Sequence, residues 1–357
     1  MNQKRIHRVL DALAGLDVSQ MLITDPMSIY YLTGEYVEPY ERFYALYLDA
    51  EGRTVFFLNR LFPVREDLPI QEVWLSDTDS VTDALCRVID PARKLGVDKD
   101  IRARFLLPLI ERKAAAGFMN ASSAVDLTRA VKDPEEQAKM RRASAINDAA
   151  MAQFKALIHE GVTEREVSAQ IPGIYHRLGA DGLSFPSIVS FGKNAADPHH
   201  SPDGTVLKEG DCVLFDVGCI ADGYCSDMTR TFFFRTVSPQ HRAVYELVRR
   251  ANEEAEKKIQ PGVKLQNLDK TARDIISEAG YGEAFNHRLG HFIGLTDHEY
   301  GDVSSAFDWN VKPGMIFSIE PGVYLKGDMG VRIEDLNLVT EDGCETLNHY
   351  PKELEII

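Results

Sequence analysis

No stretch of this 357-residue chain approaches the ~20 consecutive apolar residues that a membrane-spanning helix needs, so no membrane partner is expected. The first residues, Met1-Asn2-Gln3-Lys4-Arg5-Ile6-His7, are polar and lead into an amphipathic pattern, without the apolar block and cleavage site of a secretory leader. Basic residues are in deficit. Forty Lys and Arg stand against 55 Asp and Glu, a formal charge of −15, the wrong sign for a protein that grips a nucleic-acid backbone. Cysteine is scarce too: Cys86, Cys212, Cys219, Cys225 and Cys344 form no Cys-x-x-Cys pair and leave one over. That pattern argues against a disulfide framework and for a reducing, cytoplasmic setting. Short-period repeats and low-complexity tracts are missing. What is present is the composition of an ordinary soluble protein, in a chain long enough to call for two hydrophobic cores.

Periodicity divides the chain. In the first part, Ile6, Val9, Leu10 and Leu13 mark one helix face, and Met21-Leu22-Ile23-Thr24 reads as a buried strand. Ala45-Leu46-Tyr47-Leu48 and Thr54-Val55-Phe56-Phe57-Leu58 flank a turn-rich segment as a hairpin, with further strands at Val73-Trp74-Leu75 and Leu95-Gly96-Val97. This predicts a small α/β domain without concentrated catalytic residue types. Asp133-Pro134-Glu135-Glu136 then starts a helix: Asp caps, Pro suits the first helical position, and Glu136 reaches back to the cap. A boundary just before it gives domains 1–128 and 129–357. Further helices are predicted from Thr163, kinked or split by Pro172, from Ser238-Pro239 to Pro261-Gly262, and around Leu268, Ala272, Ile275 and Ile276 up to Gly280. Strands lie between and after them, an α+β pattern.

Two hairpins carry the chemistry. Val213-Leu214-Phe215-Asp216-Val217 and Asp227-Met228-Thr229-Arg230-Thr231-Phe232 surround the turn Ala221-Asp222-Gly223. A ladder centred midway between 216 and 227 sets Asp216 opposite Asp227. The segments ending in Glu320 and in Glu334 flank Gly327, and their midpoint sets those two acids opposite each other. Facing carboxylates in an apolar ladder are destabilising unless something positive lies between them. A turn Asp plus an Asp paired with Arg230 would account for the first hairpin, but not for its repetition in the second. Between the hairpins, His291 sits among glycines in Leu289-Gly290-His291-Phe292-Ile293-Gly294. A lone histidine there is more often a packing residue; here four carboxylates need a cation. Two divalent ions balance four acids, and oxygen-rich ligation with one imidazole suits Mn²⁺, Co²⁺, Fe²⁺ or Zn²⁺. A paired-metal site holds a bridging hydroxide and polarises a carbonyl, so hydrolysis is the expected reaction. His199 and His298 are available to hold substrate or stabilise a developing oxyanion. His200 reads as a solvated loop residue.

At these residues the chain resembles the proline-specific metallopeptidases of the pita-bread (creatinase/aminopeptidase P, M24) superfamily, especially bacterial Xaa-Pro dipeptidases, the prolidases. The likeness rests on Asp216 in Asp-x-Gly, Asp227 in Ser-Asp-Met-Thr-Arg-Thr, His291 in Gly-His-x-Ile-Gly-Leu, Glu320 in Glu-Pro-Gly-Val-Tyr and Glu334 in Gly-Val-Arg-Ile-Glu-Asp. The segment from Asp25-Pro26 to Thr33-Gly34 is similar to a creatinase-type N-terminal domain. The resemblance implies an α+β pita-bread catalytic domain behind a smaller α/β creatinase-type domain. It implies that Asp227, His291 and Glu334 hold one metal, that Asp216, Glu320 and Glu334 hold the other, and that Asp227 and Glu334 bridge. Manganese is the first expectation, with cobalt, zinc or iron as alternatives. Glu320 would be the general base; His199, His298 and Arg332 would bind substrate and serve catalysis, with His287 and Tyr324 beside them. The implied substrate is a proline-containing dipeptide or short peptide, and the implied assembly a homodimer. Aminopeptidase P action on longer Xaa-Pro-Xaa peptides is the near alternative. A non-catalytic pita-bread binding protein is the alternative from another class. Phe292 and His200 replace glycines common in the resembled enzymes and are expected to narrow the pocket.

Overall fold

The computed structural model describes residues 2–62, 64 and 68–357. They fall into two compact units, Met1–Arg129 and Ala130–Ile357. The first holds a mixed six-stranded sheet in the order Gln71–Leu75, Thr54–Asn59, Ala45–Asp49, Gln20–Ile23, Lys94–Val97, Gly117–Asn120. Its central strands are buried on both faces, which suits their unbroken apolar runs. Helix Gln3–Gly15 buries Ile6, Val9 and Leu13, as their spacing predicts. The short helices Pro26–Thr33, Val81–Cys86 and Ala103–Glu111 were not legible from periodicity. Each spans about two turns or little more, and the last carries Pro108 inside it.

In the second unit, Asp133 accepts from the Glu135 and Glu136 amides while Glu136 bonds back to the Asp133 amide, starting helix Pro134–Lys155. Ser238 starts helix Pro239–Glu256 in a similar way. Pro172 splits rather than kinks: helix Glu164–Ser168 ends, and Ile171–Arg177 begins with the proline in its first turn, where no N–H is needed.

Each long helix covers the outer face of strands. Ala150, Met151 and Phe154 pack with Val213, Phe215 and Val217 in one cluster. Val244, Val248 and Ala251 pack with Phe317, Ile319, Val331 and Ile333 in another. Strand alternation therefore turns Asp216 away from the first cluster, and Ser318, Glu320, Arg332 and Glu334 away from the second. A buried asparagine occupies the same position in each helix, counted from Pro134 and from Pro239. Asn147 Nδ2 donates to Val217 O (2.9 Å); Asn252 Nδ2 donates to Ile319 O (2.8 Å) and Ile333 O (3.3 Å). All three carbonyls adjoin an acid on the inner face.

The two hairpins differ from their predicted registers in one case only. Strands Cys212–Val217 and Met228–Phe233 pair Asp216 with Thr229, not with Asp227. The turn falls on Asp222 and Gly223, both at positive φ (52° and 78°), the pair a two-residue hairpin turn of this hand requires. The ladder centre is thus one residue later than predicted, and Asp227 lies in the break before the strand. The second hairpin keeps its predicted register. Gly322 pairs with Arg332 and Ile319 with Asp335, around Gly327 at φ 81°, so Glu320 and Glu334 stand opposite each other between the two ladders.

Arg230, one residue after Thr229, points to the other face. Its guanidinium donates to Asp335 Oδ1 (2.7 Å), Glu334 O (2.8 Å) and Tyr350 O (2.7 Å), so it is not the partner of Asp216 or Asp227. Among the described residues, no helix is long and apolar enough to cross a membrane. Arg230→Ala should cost about 3–5 kcal/mol, because it leaves the fully buried Asp335 with Lys352 as its one remaining ion-pair partner among the described residues and takes a donor from the Glu334 and Tyr350 carbonyls. Arg235→Ala, which breaks an exposed pair with Glu160, should leave stability nearly unchanged. Thermal midpoints of the two variants test the contrast; equal shifts would contradict it.

Candidate metal centre

Strand Gly290–Phe292 lies between Glu299–Val303 and Ile316–Ile319, and Ser318 Oγ accepts from the His291 amide at 3.0 Å. Alternation sends Phe292 into the core against Phe317 and His291 toward the acids. His291 Nε2 is 3.5 Å from Asp227 Oδ2, 3.7 Å from Glu320 Oε1 and 3.9 Å from Glu334 Oε1. Asp216 completes the group, held by Arg332 Nη2 at 2.5 Å from its Oδ2. All five line one cavity of about 830 Å³, together with His199, His287, Arg288, Asp297, His298 and Arg332. The volume suits a small ligand.

Two sequence expectations fail here. Neither Phe292 nor His200 is among the described residues lining the cavity, so neither narrows it. His200 is not a solvated loop residue; its Nε2 lies 2.7 Å from Oε2 of the buried Glu164. Tyr324 stands behind the wall, its hydroxyl bonded to Arg332 and His287.

Burial, then the negative charge of Asp216, pushes the Asp227 carboxyl well above the usual range. Burial and the charges of Asp227, Glu320 and Asp216 do the same to Glu334. Burial raises Glu320 to about 7 against the opposing pull of His291 and Arg332. Three carboxylate oxygens, Asp216 Oδ1, Asp227 Oδ1 and Glu334 Oε1, are buried without a hydrogen-bond partner. An orphaned carboxylate oxygen is costly, and a cation is the partner that relieves it. Asp227, His291 and Glu334 offer ligand atoms within 4.8 Å of one another. Oxygen donors with one imidazole nitrogen fit divalent ions.

Around the acids the donors are directional. His287 Nδ1 lies 2.7 Å from Arg288 O, which can only accept, so that nitrogen carries the hydrogen. Burial and the nearby Arg332 lower the His287 pKa to about 3, leaving it neutral, and its Nε2 then accepts from Tyr324 Oη at 2.9 Å. Tyr324 Oη in turn accepts from Arg332 Nη1 at 2.8 Å. His298 takes Arg288 Nη2 on its Nδ1 at 3.2 Å, which puts its own hydrogen on Nε2. Its partial burial, then His291, Arg288 and His199 beside it, lower its pKa and keep it neutral. The next residue, Glu299, pairs with Lys132 at 2.9 Å, both buried side chains. His199 is exposed on the opposite loop.

Sequence reasoning missed two hydroxyls. Thr229 Oγ1 donates to Glu334 Oε2 (2.8 Å) and accepts from Arg332 Nε (3.1 Å); Ser318 Oγ donates to Glu320 Oε1 (3.3 Å). Strand alternation counted back from Glu320 would have found Ser318. Thr229 becomes visible only once the register of the first hairpin is known.

Residues 138–341 match the family model described as Metallopeptidase family M24, and residues 5–131 match Creatinase/Prolidase N-terminal domain. An uncharacterized peptidase of Staphylococcus aureus is 38% identical over 98% of this chain and 99% of its own length. The chain is also similar to a solved dipeptidase of Mycobacterium ulcerans, with TM-score 0.93 and 32% identity over 99% of this chain and 97% of that one. A prolidase of Thermococcus sibiricus gives TM-score 0.91 and 33% identity over 100% of both chains.

The raised carboxyls set the sign of a pH dependence. Protons retained on Glu320, Asp227 and Glu334 relieve the repulsion in the cation-free chain. That stability is present below the ordinary carboxyl value of 4.5 and is lost as pH rises through about 7. The chelated protein should therefore lose thermal stability across that window, and manganese should release protons as it binds near neutral pH. Calorimetry in two buffers of different ionisation enthalpy measures the release; a proton count of zero would contradict the assignment.

Proposed function

The chain belongs to metallopeptidase family M24, a creatinase-type N-terminal domain followed by a pita-bread catalytic domain, and on that premise we propose that it is an Xaa-Pro dipeptidase. The observation that carries the reading is the set of three carboxylate oxygens, buried without hydrogen-bond partners, on residues that line one cavity with His291. The full-length similarity to a dipeptidase and a prolidase supports the substrate class. Asp227, His291 and Glu334 would hold one divalent ion and Asp216, Glu320 and Glu334 a second, with manganese proposed ahead of cobalt, zinc or iron. When bound, such a pair lowers the pKa of a water toward neutrality and polarises the scissile carbonyl.

The remaining steps belong to side chains. Glu320, whose carboxyl lies near 7 in the cation-free chain, takes the proton of the attacking water and returns it to the departing proline nitrogen. Neutral His298 has its Nδ1 engaged by Arg288, so its Nε2–H is the donor for the developing oxyanion. His199 binds the substrate from the opposite loop. Arg332 keeps Asp216 in place, and its position on the cavity wall leaves it within reach of a substrate carboxylate. His287 and Tyr324 hold that guanidinium from behind. We place the enzyme in the cytoplasm as a homodimer, in keeping with its unpaired cysteines and the resemblance above.

Leu-Pro should be cleaved in the presence of manganese, and chelation should abolish the activity until the ion is restored. Glu320→Gln should lower kcat by about 10²–10⁴-fold with the Leu-Pro KM little changed. A preference for Leu-Pro-Xaa tripeptides over Leu-Pro would move the assignment to aminopeptidase P. Failure to bind a divalent ion and to cleave either peptide would leave a binding protein.

A further inference from the structure

Loop 191–203 brings Pro198 and His199 to the cavity wall, and a single carboxylate ties it at both ends and in the middle. Glu164, the first residue of helix Glu164–Ser168, is fully buried. Its Oε1 accepts from the Phe191 amide (2.7 Å) and Asn194 Nδ2 (3.0 Å). Its Oε2 accepts from His200 Nε2 (2.7 Å) and the Asp203 amide (3.0 Å). Asn194 Nδ2 also donates to Thr205 Oγ1 at 3.0 Å.

That occupancy decides between two uses of the cluster. Glu164, His200 and Asp203 have the spacing of a cation site. A carboxylate has about four lone-pair positions, and here four N–H donors take them, so an ion would have to displace hydrogen bonds already made. We infer that the Glu164–His200 pair is a clamp that aims the adjacent His199 into the cavity, which makes both of them positioning residues for the reaction. The inference rests on the role proposed above for His199 in substrate binding. One peptide unit separates the two histidines, so fixing the His200 imidazole fixes the plane from which the His199 side chain departs. The same segment is held from the other side, where Asp197 Oδ1 accepts from the His199 amide (3.0 Å) and Pro198 O accepts from Arg332 Nη2 (3.4 Å). An exposed imidazole on a loop gains its precision from such a support, because rotamer freedom is removed before substrate arrives.

A double-mutant cycle in the full-length, manganese-loaded chain tests the clamp. His200→Ala should lower kcat/KM for Leu-Pro roughly tenfold to a hundredfold, and His200→Gln, whose amide can still donate to Glu164, should recover most of it. With His199→Ala already present, His200→Ala should change kcat/KM by no more than about twofold. Manganese bound per chain should stay the same throughout. Equal losses in both backgrounds would overturn the inference, and so would lost manganese, which would make the cluster a cation site. If the parent chain cleaves no Xaa-Pro peptide, the functional proposal fails on its own and the clamp is read by hydrogen exchange. Amides of 191–203 should then exchange at least about tenfold faster in His200→Ala. Unchanged exchange would overturn the clamp.

Discussion

Repulsion among the carboxylates of Asp216, Asp227, Glu320 and Glu334 is the constraint to which the C-terminal unit is fitted. Two like charges about 4 Å apart, at an effective dielectric near 20, oppose each other by about 4 kcal/mol, more than any one neutral hydrogen bond nearby returns. Arg332 offsets part of it through Asp216. Protons retained on Asp227, Glu320 and Glu334 relieve more of it, and packing bears the rest, since the hydrophobic clusters under the two long helices hold the strands that present the acids. Asn147 and Asn252 then pin the carbonyls beside three of the four acids. The fold holds the acids together before any cation arrives.

A second layer of organisation is directional rather than electrostatic. The chain Arg332 to Tyr324 to His287 to Arg288 O runs with each hydrogen assigned, because a guanidinium can only donate and a carbonyl can only accept. Neutral His287 is the link that lets Tyr324 accept from one side and donate to the other. His298 and Arg288 repeat the logic at the cavity edge. The two loop histidines share a further feature: each is followed by a residue that reaches a buried partner, His200 to Glu164 and Glu299 to Lys132. The rigid parts of the site thus extend past the residues that face the cavity.

Much of this was legible in the residue order, and the failures have physical causes. Helices with a cap, a proline and a long apolar stripe were found where Asp133-Pro134 and Ser238-Pro239 begin them. Short helices of the N-terminal unit were not, because two turns give too few repeats of a 3.6-residue period. The hairpin around Gly327 was placed correctly, since one glycine there is the natural centre. The one around Asp222 slipped by a residue, because Asp222 and Gly223 share the turn, and Thr229 took the position expected for Asp227. His200 was misjudged because its partner, Glu164, lies far from it in sequence.

The order of residues alone singled out Asp216, Asp227, Glu320, Glu334 and His291 as candidates, because strand alternation and turn chemistry act over a few positions, and all five line one cavity. Tertiary structure decided everything that depends on distant segments meeting. It set Arg332 on Asp216, gave Thr229 to Glu334, put Tyr324 behind the wall and sent Phe292 into the core. Those outcomes follow from burial and hydrogen-bond satisfaction across strands and loops far apart in the chain, and no local pattern encodes which of several partners a buried group will find.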